Sequence, residues 1–528
     1  MFPKINLKIL SKNISVASIV FLLTVSCGTK KIVVKDSEPV LSLIPIPAEI
    51  IYDRAVVSYF ELTNTAEIFV EPENEEIKNV AEQLAEKLRT STGCALKVSS
   101  SNGRTEKGNI YLKLINDNSS GDEGYKLSVT KDFVTLEASK PAGLFYGVQT
   151  LRQLFPNEIE SGIIKKIPWR IRTISIKDFS RYKWRGAMLD VARHFFKVDD
   201  VKKYIDLLAF YKINKLHLHL SDDQGWRIEI KSWQNLTKIG GSTAVNGDPG
   251  GYYTQEDYKE IVKYAREKFI TIIPEIDLPG HTNAALASYP ELNCSGIAPK
   301  IYTGIEVGFS SLCIEKEITY KFIDNVIKEL AAITPGEYIH IGGDEAKSTN
   351  EKDYIKFIER VEKIVKSHGK RMIGWEEISK ANISSSSVSQ FWDSPQHAIA
   401  AAKRGMKLIL SPSTKIYLDM KYNESTPLGL FWAGYTDVKK SYSWDPETEI
   451  PGVINNNILG IEAPLWSETL KTIKDIEYMA FPRLAGAAEI AWSQKRLRQW
   501  ENYRERLIIH SKRFDALGVN YYSSPEIK

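Results

Sequence analysis

Cysteine is scarce. The 528 residues hold four, at positions 27, 94, 294 and 313. No two form a Cys-x-x-Cys pair, which removes a thiolate zinc site from consideration. Charge of one sign is lacking as well. Seventy basic residues face 66 acidic ones, for a net charge of +4, and no long Lys/Arg run occurs. That balance argues against nucleic acid as the partner. No glycine-rich phosphate loop and no serine nucleophile elbow are present, so nucleotide and serine-hydrolase chemistry lose their usual signatures. Long apolar runs are missing too. The most apolar stretch, Ile14 to Val25, is too short to span a bilayer comfortably.

That stretch has another reading. Lys4, Lys8 and Lys12 precede it, and Ser26-Cys27 comes directly after it. A basic start, a short apolar run and a small residue before cysteine form an export signal of the bacterial lipoprotein type. Residues 1–26 are therefore expected to be cleaved and Cys27 to carry lipid. Residues 27–40 would be a polar tether. The protein is expected outside the cytoplasm, anchored to a membrane, in the periplasm or on the cell surface. Export permits disulfides. Cys294 and Cys313 lie close together in a loop-like region and are expected to pair. Cys94 then remains as a small buried thiol.

What is present in quantity is apolar and aromatic: 43% hydrophobic residues, with 11 Trp and 25 Tyr. This is enough for more than one domain. Residues 41–177 alternate strand-like and helix-like patterns and read as a small α/β domain. Glu75 to Thr90 places Ile77, Val80, Leu84 and Leu88 on one helical face, and Lys140 to Phe155 is a second helix. Ile110 to Leu114, Tyr125 to Val129 and Phe133 to Glu137 read as strands.

Residues 178–528 change to strand-then-helix units. Strands are expected at Gly186 to Val191, Lys215 to Leu220, Thr271 to Ile276, Tyr338 to Ile341, Arg371 to Trp375, Val388 to Trp392, Lys407 to Leu410 and Ile458 to Ala463. Helices come after them, the last pair at Asp475 to Ile490 and Trp500 to Leu517. Eight such units predict a (β/α)8 barrel, an α/β fold with its site at the strand C-termini.

Those termini carry chemistry. In chain order they present Arg193 and His194; Asp222, Asp223 and Trp226; Asp277 and His281; Asp344 and Glu345; Trp375 and Glu376; Trp392 and Asp393; Tyr417, Asp419 and Trp432; and Trp466 and Glu468. The sharpest is His340-Ile341-Gly342-Gly343-Asp344-Glu345. Two adjacent carboxylates repel each other, which is costly as structure and useful as chemistry, because one can hold a proton near neutral pH. Carboxylates for acid–base work, polar groups for hydroxyls and Trp walls together indicate carbohydrate.

Five segments also carry a resemblance: Gly186 to Phe195, Leu216 to Arg227, Pro274 to His281, His340 to Glu345 and Glu462 to Glu468. They resemble glycoside hydrolase family 20, and Gly143 to Leu151 extends the likeness into the small domain. The resemblance implies an exo-acting β-N-acetylhexosaminidase removing terminal β-linked GlcNAc or GalNAc from glycoconjugates or chitooligosaccharides. It implies retention of configuration, with the substrate's acetamido oxygen as nucleophile, and no metal or organic cofactor. By this resemblance Glu345 is the general acid/base and Asp344 holds the acetamido group. Tyr417 bonds the same group, and Trp375, Trp392 and Trp466 wall it. Arg193 and Glu468 grip ring hydroxyls, Asp419 lies near the far edge of the sugar, and Trp432 lines the cleft. Asp222 and His281 orient the acids. These roles require the Glu345 carboxyl raised in pKa and that of Asp344 kept lower. Asp393 has no role in the resemblance.

Two other readings compete. His217-x-His219 on a strand suits a metal-dependent amidohydrolase, which also needs further His ligands at later strand ends. Satisfied barrel filling is the plainer account of both rings. A non-catalytic glycan-binding barrel would be marked by loss of Asp344 or Glu345, and both are present.

Overall fold

In a computed structural model of the chain, residues 41–527 are described apart from 53–56, 102 and 104. The export segment, the tether and Cys27 lie outside them. Among the described residues no helix is long and apolar enough to cross a membrane.

The N-terminal domain is built on a seven-stranded sheet, beside a small antiparallel pair of Tyr59–Glu61 with Arg170–Arg172. The order of the sheet is Glu49–Ile51, Ile174–Asp178, Tyr125–Val129, Val134–Ala138, Ile110–Leu114, Glu67–Glu71 and Lys97–Ser100. The first four strands pair antiparallel and the rest parallel. Helices Glu75–Thr92 and Pro141–Leu154 lie on it. Asn74 starts the first by accepting the N–H groups of Glu76 and Ile77, and Gly93 ends it in the left-handed region. The second helix approaches the sheet closely. A Cβ on Gly143 would stand 2.3 Å from the Gly124 carbonyl oxygen. Its far side meets the barrel through Phe145 against Phe269 and Tyr146 against Trp492. The ammonium of Lys212, fully buried, donates to Asp178 and to the Tyr125 hydroxyl at 2.9 Å each, crossing the same boundary.

The second domain is a closed parallel barrel of eight strands. Strands one to eight are Trp184–Asp190, Lys215–His219, Thr271–Glu275, Tyr338–His340, Arg371–Trp375, Val388–Phe391, Lys407–Leu410 and Ile458–Ala463. Each expected strand is present, within a residue or two at its ends. One helix is not as expected. Asp475 to Ile490 is two helices, Ile473–Ala480 and Arg483–Trp492. Pro482 lies between them; it lacks an N–H and its ring clashes with the preceding turn, so one continuous helix cannot form.

The barrel interior is layered. Trp184, Ile273, Tyr338, Ile373, Val388 and Ile409 form an apolar plug. Two residues further along three of these strands stand Glu275, Trp375 and Gln390. With His217 and Glu462 they form a buried polar layer between the plug and the mouth. His217 and His219 belong to this interior, and all their ring nitrogens face carboxylates.

Cys294 and Cys313 are bonded to each other. The bridge closes the loop that brings Ile305 and Val307 to the barrel mouth. Closing a 19-residue span constrains the unfolded chain by about 3 kcal/mol in the chain-entropy model. The double variant Cys294→Ser/Cys313→Ser should melt several degrees below the oxidised wild type. An unchanged Tm would show that the bridge contributes nothing to stability.

Candidate active site

The pocket lies at the C-terminal ends of the strands and has a volume of about 620 Å³. Strand four delivers the acids through a tight turn. Gly342 (φ 64°) and Gly343 (φ 99°) are left-handed, and a Cβ on Gly342 would stand 1.8 Å from Asp277 Oδ1. Only glycine fits there. The Gly343 N–H donates to the same Asp277 oxygen at 3.1 Å. Glu345 is itself left-handed (φ 43°), a strained position for a residue with a side chain and one typical of functional sites.

One imidazole serves both acids. His281 Nε2 is 3.7 Å from Asp344 Oδ2 and 3.6 Å from Glu345 Oε2. Its Nδ1 meets Asp222 Oδ1 at 3.2 Å. The other oxygen of Asp222 takes Arg193 Nη2 at 2.8 Å and His219 Nε2 at 2.9 Å. Asp222 is buried behind the pocket, whereas His281 and Arg193 line it. The Arg193 guanidinium also stacks on Trp466, 4.8 Å from the ring centre.

The wall is aromatic. Trp375 and Trp466 are 5.8 Å apart between centroids, Tyr417 is 6.3 Å from Trp466, and Trp432 is 6.0 Å from both Trp392 and Tyr417. Trp432 is 55% exposed and forms the rim. Glu468 and Asp393 also line the pocket. Asp419 does not; it is buried behind the lining, where its Oδ1 accepts the Trp466 N–H at 3.5 Å. Three strand-end residues read from the sequence face elsewhere. Trp226 is core, with its indole N–H on the Ile228 carbonyl. His194 bonds the Ser467 carbonyl. Asp223 accepts from Ser310 and from the Asn283 N–H.

The electrostatics reverse one expectation. Burial pushes the Asp344 carboxyl up to about 6; the charges of Glu275 and Glu345 add to this and His281 opposes it. Burial also acts to raise Glu345, but the His281 ring and the Lys347 ammonium, 3.1 Å from Oε1, outweigh it and hold Glu345 below the usual carboxylate value. The free site therefore holds Asp344 high and Glu345 low, opposite to the order that the roles implied by the resemblance require. Adjacency is symmetric, and the neighbours that break the symmetry are His281, which follows strand three, and Lys347, two residues beyond Glu345. Burial works against the His281 cation, yet Asp222 and Asp277 hold its pKa well above that of an ordinary histidine. Burial likewise acts against the Asp222 charge, and Arg193 and His281 overcome it.

Several participants beside the strand-end Glu376 were not singled out in the sequence. Glu377 accepts the Trp392 indole N–H at 3.3 Å, and burial, then the charges of Asp344 and Glu376, push it up to about 8. Glu376 caps the backbone N–H groups of Trp392, Asp393 and Ser394. Ile305 and Val307 arrive from a long loop with no local signal. Ser413 and Thr414 come just after strand seven, so the strand-end rule points to them.

The chain is similar to known proteins over most of its length. Residues 182–495 match the catalytic domain of glycosyl hydrolase family 20, and residues 40–179 match domain 2 of that family. The chain belongs to glycosyl hydrolase family 20. A β-N-acetylhexosaminidase of Cellulomonas fimi is 42% identical over 421 residues, covering 79% of this chain and 84% of that protein. A β-hexosaminidase of Porphyromonas gingivalis is 36% identical, covering 95% of this chain and 67% of that protein. Among solved structures, a mutant Streptomyces plicatus β-hexosaminidase in complex with its product GlcNAc superposes with a TM-score of 0.89. It is 48% identical and covers 93% of this chain and 98% of that one. As a family 20 member the protein is a glycoside hydrolase.

The raised Asp344 has a consequence for stability. Unfolded, the residue titrates near 3.9; folded, near 6. Between those values the unfolded chain loses its proton first, so stability falls as pH rises from about 4 to 6 and stays reduced at higher pH. Asp344→Asn removes this cost. The variant should be more stable than wild type at pH 7.5, by on the order of 2–3 kcal/mol, and the gain should shrink as pH falls through 6 toward 4. Denaturant titrations at several pH values measure it. A variant less stable than wild type at pH 7.5 would contradict the buried, raised carboxyl.

Proposed function

We propose that this glycoside hydrolase removes terminal β-linked N-acetylhexosamine by an exo, retaining mechanism in which the substrate's acetamido group is the nucleophile. The observation that carries the reading is the shared imidazole. Asp344 and Glu345 stand on one side of the pocket, both within 3.7 Å of His281 Nε2. Two protein carboxylates that attack and protonate must flank the sugar. Neighbours held to one ring nitrogen do not, and a nucleophile supplied by the substrate removes the need. Relatives named as β-N-acetylhexosaminidases and a neighbour holding GlcNAc support the same reading.

The residues divide the work. Glu345 protonates the leaving oxygen and then activates water. Lys347 holds it charged in the free site; a bound sugar that displaces the ammonium raises its proton affinity toward that task. Asp344 accepts the amide N–H of the substrate, which lowers its pKa again, and as a carboxylate it stabilises the cationic oxazolinium-type intermediate. Tyr417 donates to the acetamido oxygen; burial, then the Asp419 and Asp344 charges, hold its phenol protonated. Trp375, Trp392 and Trp466 enclose the methyl group. Arg193 and Glu468 fix ring hydroxyls: burial opposes the Arg193 charge, and Asp222, Asp190 and Glu468 maintain it. Asp419 acts from behind this pair, and Trp432 receives the leaving group beyond the scissile bond.

The basic start, the apolar run and Ser26-Cys27 support a lipid-anchored enzyme outside the cytoplasm. Cys27→Ser should then move activity from the membrane fraction to the soluble one. Wild-type protein that is soluble and unlipidated by mass spectrometry would rule the anchor out. For the chemistry, Glu345→Gln should slow N-acetyl-chitobiose-type substrates far more than activated aryl glycosides, which need little protonation. Asp344→Asn should slow both kinds. Replacing the acetamido group by hydroxyl should abolish wild-type turnover, and comparable hydrolysis of plain β-glucosides would refute substrate assistance.

A further inference from the structure

The polar layer inside the barrel is expensive. The plug beneath it shows that this core accepts Ile and Val, and replacing buried ion pairs by apolar side chains is often neutral or stabilising. Yet the layer is charged, and its hydrogen bonds run without a break to His281, whose Nε2 stands 3.6–3.7 Å from the acids. From Glu462 Oε1 to His217 Nδ1 is 2.8 Å, and from His217 Nε2 to Glu275 Oε2 is 2.9 Å. The same Glu275 oxygen meets His219 Nδ1 at 2.5 Å, and His219 Nε2 meets Asp222 Oδ2 at 2.9 Å. Asp222 then holds His281, which reaches Asp344 and Glu345. Carboxylate and imidazole alternate at every step.

The geometry dictates the protons. A neutral imidazole has one N–H. His217 and His219 each meet a carboxylate at both nitrogens, so a neutral ring would set two lone pairs against each other at one end. Only the imidazolium satisfies both contacts. Arg193 Nη1 also lies 3.3 Å from His219 Nε2, a longer contact than the 2.9 Å to Asp222, so the carboxylate claims that proton. His217 is correspondingly raised to about 9, with burial opposed by Glu275 and Glu462. His340, packed on the same layer, meets a carboxylate at one nitrogen only: its Nδ1 lies 3.0 Å from Glu275 Oε1 and 3.0 Å from the Gly342 nitrogen, and burial lowers its pKa against the pull of Glu275.

Glu275 is where the chain branches. Its second oxygen accepts the Trp375 indole N–H at 3.0 Å. One buried side chain therefore pins a wall of the pocket and, three hydrogen-bonded links away, the ring shared by the acids. We propose that Glu275 is a positioning residue for catalysis, acting on Glu345 through His219, Asp222 and His281 and on the acetamido pocket through Trp375. No proton needs to travel along the chain; each link fixes the charge and ring orientation of the next. The inference rests on the roles proposed for Glu345 and Asp344.

Glu275→Gln keeps the shape and removes the charge. In variant protein that melts cooperatively, kcat/KM should fall for both an aryl N-acetylglucosaminide and the N-acetylchitobiose disaccharide. The disaccharide, with its poor leaving group, should lose at least threefold more, because the Glu345 branch adds to the Trp375 branch. Equal losses, or none, would make Glu275 a packing residue and overturn the proposal. A second measurement needs neither the variant nor activity. In histidine-labelled wild-type protein at pH 7.5, ring ¹⁵N spectra, assigned with His217→Asn and His281→Asn, should show both ring protons on His217 and His219 and one on His340. A singly protonated His219 would break the alternation and the proposal with it. A protein that fails to hydrolyse N-acetylhexosaminides yet gives the doubly protonated rings would refute the assigned reaction and leave the chain standing.

Discussion

Two carboxyl groups, adjacent in sequence and turned toward one buried imidazole, set the terms for the rest of this protein. In a medium of low effective dielectric, like charges at this spacing cannot both ionise freely. Each neighbour in the site bears on that constraint. His281 supplies positive charge to both acids, Asp222 keeps His281 charged, and Arg193 with His219 keeps Asp222 charged. The two glycines before the pair exist for the same reason. Asp277 lies so close under Gly342 that any side chain there would displace it.

The constraint also explains the asymmetry of the pair. Asp344 sits at 9% exposure, deep among tryptophans, and its proton is favoured. Glu345 stands nearer the mouth, beside Lys347, and its charge is favoured. Under the proposed roles, a substrate that inserts an amide against Asp344 and a glycosidic oxygen against Glu345 would exchange these preferences.

Much of this was legible in the sequence, because strand-then-helix periodicity and strand-end chemistry are local signals. His340-Ile341-Gly342-Gly343-Asp344-Glu345 announced a strand, a turn and a pair of acids. Other features are not local. The order of the two pKa values depends on side chains from strands three and four and from the segments around them. Glu377 and Ile305 join the site through a short 3-10 turn and a long loop, neither of which has a periodic pattern. Short edge strands of the N-terminal sheet, such as Glu49–Ile51, are too brief for alternation to register. Pro482 is a local signal that competes with apolar spacing: the spacing runs on through it, and the proline divides the helix.

The central claim is that the sugar's own amide, held by Asp344, displaces the leaving group before water attacks from the face that Glu345 commands. Two inversions give net retention. Proton NMR of an aryl β-N-acetylglucosaminide mixed with the enzyme reads the first-formed hemiacetal before mutarotation. The account predicts the β-anomer first, with the α-anomer growing in later. The α-anomer first would mean direct attack by water, and the substrate-assisted account would be wrong for this protein.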